Sequence, residues 1–121
     1  MGRKILNDAN VVQTFKDAAI NNIRESMKDS RLANKNYNLV IKAALYLKNT
    51  GQIEKLLPLL QDTDDEVKIW SSTILLTSHE EHAIKALNEV ISKKYNLSVD
   101  AEIILNQWNK GELNYFKKLG F

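Results

Sequence analysis

Apolar residues along this chain recur at spacings of three and four far more often than at two, a period that predicts helices. Between residues 8 and 28, Val12, Phe15, Ala19, Ile23 and Met27 fall on one stripe, with Asp8 placed to cap the start. A second helix is expected over 34–49, with Tyr37, Val40, Ile41, Ala44, Leu45 and Leu47 inward. In "NTG", Gly51 stands where a left-handed residue closes a helix. The short helix "QIEKLLPLL" carries Ile53, Leu56, Leu57 and Leu60, and Pro58 either kinks it or marks a tight last turn.

The middle of the chain, "LLPLLQDTDDEVKIWSSTILL", sets an acidic run between two apolar walls. Asp62, Thr63 and Asp64 are good cap types, and Asp65 and Glu66 then lie in a first helical turn, where negative charge suits the helix dipole. The fourth helix, "EVKIWSSTILLTS", competes with a strand because Val, Ile, Trp and Thr favour sheets. Helical spacing decides it: Val67, Trp70, Ser71 and Ile74 share one face, and Ile69, Thr73 and Leu76 the other. Lys68 is the only charge from Val67 to Ser78, so this helix is expected at the centre of the fold, covered on both sides. Ser78 and Glu81 form a capping-box pattern that opens a fifth helix running to Lys94, with Ala83, Leu87, Val90 and Ile91 inward. Ser98 is expected to cap a sixth, carrying Ala101, Ile104, Leu105 and Trp108 to Gly111. A last short helix, "ELNYFKKL", packs Leu113, Phe116 and Leu119 as a terminal cap.

With 121 residues, 44% apolar and 26% charged, the chain is expected to fold as a single domain over 1–121. One proline, four glycines and the absence of alternating β-branched runs make it all-α. There is no cysteine, which removes disulfides, thiolate ligands and thiol nucleophiles. No stretch approaches the roughly 18 apolar residues of a membrane span, and the start has neither a signal-peptide core nor the Ser or Thr of an acylation motif, so no membrane partner and a cytoplasmic location are expected. Charge is uneven: residues 1–48 hold nine Lys or Arg against four Asp or Glu, and residues 49–121 eight against eleven. The halves are therefore of opposite sign.

Six or seven helices joined by short turns point to antiparallel helix pairs stacked side by side. Residues 56–76 resemble a HEAT repeat turn: "LLPLL" closes one helix, Asp62 and Asp64 stand at the corner, and Val67 and Lys68 open the next above small Ser71 and Ser72. The likeness continues through "HAIKALNEVI" and "SVDAEIILNQWNKGEL", with Ala101, Glu102, Leu105, Trp108 and Gly111 as its close, and "QTFKDAA" and "NKNYNLVIKAALYLKNTG" fit the opening. In order and spacing these are similar to a small bacterial family of HEAT-like domains without assigned function. The resemblance implies an α-α superhelix, a HEAT-like solenoid of about three antiparallel pairs with a short C-terminal capping helix. It also implies that the corner acid and Lys68 are structural ties. Small stand-alone solenoids are similar to immunity proteins that clamp a toxin encoded beside them and cover its active site.

Chemistry offers little against that. His79 and His82 in "HEEH" are three apart, not the four that place two imidazoles on one metal, and Asp62, Asp64, Asp65 and Glu66 lack the spacing of a calcium loop. There is no phosphate loop or nucleophile elbow; Ser71 and Ser72 are small residues of a packed helix, and Trp70 and Trp108 fall on apolar stripes as core. No catalytic residue, cofactor or metal is expected. If second helices of stacked pairs line a concave side, Lys35, Asn38, Lys42 and Tyr46 face out from the second helix, Lys68 and Ser72 from the fourth, and Glu102, Asn106 and Asn109 from the sixth. Together they would form a polar groove with an exposed tyrosine anchor for another protein. The alternative partner is nucleic acid, held by the basic N-terminal half, including Arg24, Lys28, Arg31 and Lys48.

Overall fold

The computed structural model describes residues 5–121, the side chain of Tyr115 excepted. The basic start "MGRK", on which the reading against an N-terminal signal or acyl anchor falls, lies outside the described residues. The chain is all-helical, with no strand among the described residues. Among the described residues six α-helices follow in order: α1 (Val11–Glu25), α2 (Ser30–Asn49), α3 (Asp65–Leu75), α4 (Glu80–Ser92), α5 (Asn96–Asn109) and α6 (Asn114–Lys118). A 3-10 segment, Ile53–Gln61, joins α2 to α3. The chain divides into two compact units, Met1–Lys55 and Leu56–Phe121.

In the first unit α1 and α2 pack against each other. The buried stripe of α1 is Val11, Thr14, Phe15, Ala18 and Ala19, and α2 answers with Ala33, Asn36, Val40, Ile41, Ala43, Ala44 and Leu47. The five alanines in this seam let two backbones approach closely, and the Asn22 amide donates across it to the Ala33 carbonyl at 2.9 Å. The start of α1 differs from expectation. Asn7 Oδ1 takes the N–H groups of Ala9 and Asn10 at 2.9 and 3.0 Å, closing a turn that delays the helix to Val11 and leaves Asp8 without a capping role. The helix also stops at Glu25, so Met27 is 94% exposed instead of joining the stripe. α2 begins earlier than residue 34 because Asp29 caps it, accepting from the Arg31 and Leu32 N–H groups at 3.1 and 3.2 Å. Its end is as expected: Gly51 has φ 71°, its N–H donates to the Lys48 carbonyl at 3.2 Å, and the Gln52 N–H donates to the Leu47 carbonyl at 2.6 Å.

In the second unit α4 packs against both α3 and α5. Leu56, Leu59 and Leu60 are buried along the 3-10 segment. Pro58 has no N–H to give an α-helical bond, and the whole segment is wound tightly where a short α-helix was expected. α3 is buried on every face, from Val67 to Leu75 and on to Leu76, which agrees with the helical reading and excludes the strand. Ser71 and Thr73 return their hydroxyls to the carbonyls of Val67 and Ile69 at 2.8 and 2.7 Å, so a hydroxylated helix can be buried. The capping box expected at Ser78 is not formed. Ser78 and His79 N–H groups still bond the Leu75 carbonyl, α4 starts at Glu80 with His79 at the cap, and the Ser78 hydroxyl meets His79 Nδ1 at 2.8 Å. Ala83, Leu87 and Val90 form the α4 stripe as expected, joined by Ala86. Ser98 sits inside the first turn of α5, with Tyr95 at the cap; its Oγ accepts from the Tyr95 N–H at 3.1 Å and donates to the Val90 carbonyl at 2.7 Å. Lys94, between α4 and α5, has φ 54°, a left-handed conformation costly for a residue with a Cβ. Phe116 of α6 is buried, its ring 6.4 Å from that of Phe121.

Candidate interaction surfaces

The acidic turn resolves into structure. Asp62 Oδ1 accepts the Asp64 N–H at 2.9 Å, shaping the corner before α3. Asp65, in the first turn of α3, is buried, and two residues from beyond α4 reach it. Lys93 Nζ lies 2.8 and 2.9 Å from its two oxygens, and the Tyr95 hydroxyl donates to Oδ2. Burial works to raise the Asp65 pKa, but the hydrogen bonds from Lys93 and Tyr95, with the charges of Lys93 and Lys68, hold it below the ordinary carboxylate value. Burial and the same carboxylate push the Tyr95 phenol well above its usual range. One turn along α3, Lys68 Nζ pairs with Glu89 of α4 at 3.2 Å. These contacts tie α3 to α4 and to the turn that follows it.

Of the nine residues expected to face a partner, six are exposed. Lys35, Asn38 and Lys42 lie on α2 in the first unit, and Glu102, Asn106 and Asn109 on α5 in the second. Three are not. Tyr46 is half-buried and its hydroxyl donates to Asp8 Oδ1 at 2.6 Å, an acceptor that Gln52 Nε2 shares at 3.0 Å, so the expected tyrosine anchor is held by its own unit. That bond raises the Tyr46 pKa, while the Gln52 and Tyr46 donors lower that of Asp8. Lys68 is buried and paired, its side chain 11% exposed. Ser72 is fully buried, and its hydroxyl finds no partner among the described residues. The outward face expected for α3 does not exist because that helix is covered all round.

His79 is half-buried against the Ser78 hydroxyl, and His82 is exposed. No group of three or more His, Cys, Asp or Glu is placed to hold a metal ion among the described residues. Trp70 is buried as expected, but Trp108 is not core: it is half-buried, its indole N–H donates to Glu80 Oε2 at 2.7 Å, and Lys117 Nζ lies 5.5 Å from its ring centroid. The ring is fixed by polar neighbours on either side.

Sequence reasoning passed over the outer side of α5. Of its fourteen residues only Ser98 and Ala101 are buried, and Val99 and Ile103, one turn apart, are 59% and 49% exposed. The signal was present: five aliphatic residues between Leu97 and Leu105 are more than one buried stripe can use, and Val99 and Ile103 fall outside the stripe of Ala101, Ile104 and Trp108.

No family model, curated protein or solved structure matches the chain. What distinguishes its surfaces is charge, which divides with the fold. Residues 1–55 hold ten Lys or Arg against five Asp or Glu, and residues 56–121 seven against ten. No helix among the described residues is long and apolar enough to cross a membrane.

Proposed function

We propose that this chain is a non-enzymatic module that binds another protein, and that its partner is a toxin domain whose active site it covers, in the manner of a bacterial immunity protein acting in the cytoplasm. The observation that carries the reading is the outer side of α5. Val99 and Ile103 form an exposed apolar centre, and Glu102, Asn106 and Asn109 beside them supply a polar rim, the composition of a partner surface. A HEAT-like superhelix of about three helix pairs is the scaffold we propose for it, supported by the packing of α1 on α2 in the first unit and of α4 on both α3 and α5 in the second.

The reading requires the neighbouring reading frame to be toxic when expressed alone and harmless when this chain is co-expressed. Ile103→Glu places a charge at the centre of the surface, and we expect it to abolish protection and co-purification while leaving the helical circular dichroism unchanged. Persistent toxicity beside the unaltered chain, with no co-purification, overturns the reading.

A further inference from the structure

We propose that the exposed face of α2 binds the phosphate backbone of nucleic acid without regard to sequence. This concerns the other unit and a different surface, and it stands independently of the α5 reading. α2 spans twenty residues and contains no Asp or Glu. At 100° per residue, Arg31, Asn34, Lys35, Asn38, Lys42 and Asn49 fall within one stripe, and all six are exposed. Along the helix Lys35 follows Arg31 by about 6 Å and Lys42 follows Lys35 by about 10 Å. None of these three cations pairs with a carboxylate of the described residues. The nearest acid in sequence, Asp29, is occupied in capping the helix.

The composition of the stripe favours phosphate over a protein partner. Protein interfaces are depleted in lysine at their centres and enriched in aromatic residues. The exposed residues of this face are cations and carboxamides, with half-buried Leu45 within the stripe, and the aromatic residue nearest to it, Tyr46, is held on Asp8. Arginine, lysine and asparagine are among the side chains that contact phosphate and sugar oxygens, and positioning by these groups carries no base information. The excess charge of the unit, ten cations to five anions, adds a field that favours a polyanion.

Fluorescence anisotropy on the full chain tests this, with three labelled probes: a 20-base-pair duplex DNA of scrambled sequence, a 20-nucleotide single-stranded RNA, and poly-L-glutamate. Three phosphate contacts predict a log–log salt slope of about −2.7 for the duplex and about −2.1 for the single strand, which weakens binding about 40-fold and about 20-fold, respectively, between 50 and 200 mM salt. We expect Lys35→Glu/Lys42→Glu to reduce affinity at 50 mM salt at least tenfold and to flatten the slope by about two. We expect Lys85→Glu/Lys118→Glu, an equal change of net charge at exposed positions in the second unit, to leave the slope unchanged. Thermal melts of both double variants check that they fold. The DNA and RNA arms report which strand form is preferred, and binding to either with its expected slope supports the proposal. Failure to bind either, a salt-independent affinity, or equal losses from the two double variants overturns it. Tighter binding of poly-L-glutamate than of both nucleic acids also overturns it and assigns the face to an acidic protein.

Discussion

Each unit contains an aspartate that accepts from a tyrosine hydroxyl, and the two pairs sit in opposite surroundings. Asp8 and Tyr46 meet at the surface of the first unit, where water stands ready to replace either partner. Asp65, in the second, is buried, and Lys93 and Tyr95 supply what water would have given it. Both carboxyls are held below, and both phenols above, their usual pKa values. The direction of a shift therefore says little about the stability it carries. What matters is what the carboxylate falls back on when its partners leave, and for Asp65 that is a desolvated site.

The largest effect should come from Asp65→Ala, which strands Lys93 and Tyr95 and removes the acid from the first turn of α3. We expect a loss of about 2–3 kcal/mol in urea unfolding, below the full cost of breaking a buried pair because the Lys93 side chain is 49% exposed. An equal midpoint shift from Asp8→Ala would break the comparison. Tyr95→Phe should cost about 1–2 kcal/mol, toward the low side of the roughly 1.5–3 kcal/mol of a hydrogen bond to a charged acceptor because Tyr95 is 43% exposed.

The pH dependence follows from the same two groups. The folded pKa of Asp65 lies below its unfolded value, so its contribution is complete above pH 4 and is lost as pH falls through that lowered value. Tyr95 has a raised pKa, so its contribution is complete below about pH 10 and is lost as pH climbs toward the folded value. Stability measured across pH should show both limbs, and Tyr95→Phe should diminish the alkaline one, leaving the share that the raised pKa of Tyr46 supplies. Smaller still, and of opposite sign, Ser72→Ala deletes a buried hydroxyl without a partner and should raise stability by up to about 1 kcal/mol. Thr14→Val makes the corresponding change in the first unit. The smallest effect belongs to Asp8→Asn, for which no shift of the melting midpoint is expected.

What was legible in the chain was whatever depends on neighbours in sequence. Stripes at three and four residues placed the helices, and Gly51 and Gly111 marked ends that the backbone bonds confirm, Gly111 donating to Trp108 and Glu112 to Gln107 at 3.0 and 2.8 Å. Caps failed where two candidates competed within a turn: Asn7 displaced Asp8, and Ser78 bonded an imidazole in place of a helix N–H. Exposure was least legible. Lys68 and Ser72 looked outward because a stack of helix pairs leaves one side of each second helix open, yet Lys68 is buried and paired with Glu89, twenty-one residues away, and Ser72 is fully buried. Conversely, Val99 and Ile103 are apolar yet exposed, and the stripe of Ala101, Ile104, Leu105 and Trp108 left them without an assigned side. A helix's own pattern identifies its most apolar side, and only the rest of the fold decides how many sides are covered.

Lys94 holds a further consequence. Lys93 and Tyr95 stand on either side of it and both reach one carboxylate, a convergence that the left-handed turn at Lys94 allows. Exposed connections between helices ordinarily absorb inserted residues at little cost. This one works as a ruler: a single extra residue between positions 93 and 95 would carry one of the two donors out of reach. By that measure the connection from α4 to α5, solvated on its outer side, is among the least length-tolerant segments of the second unit.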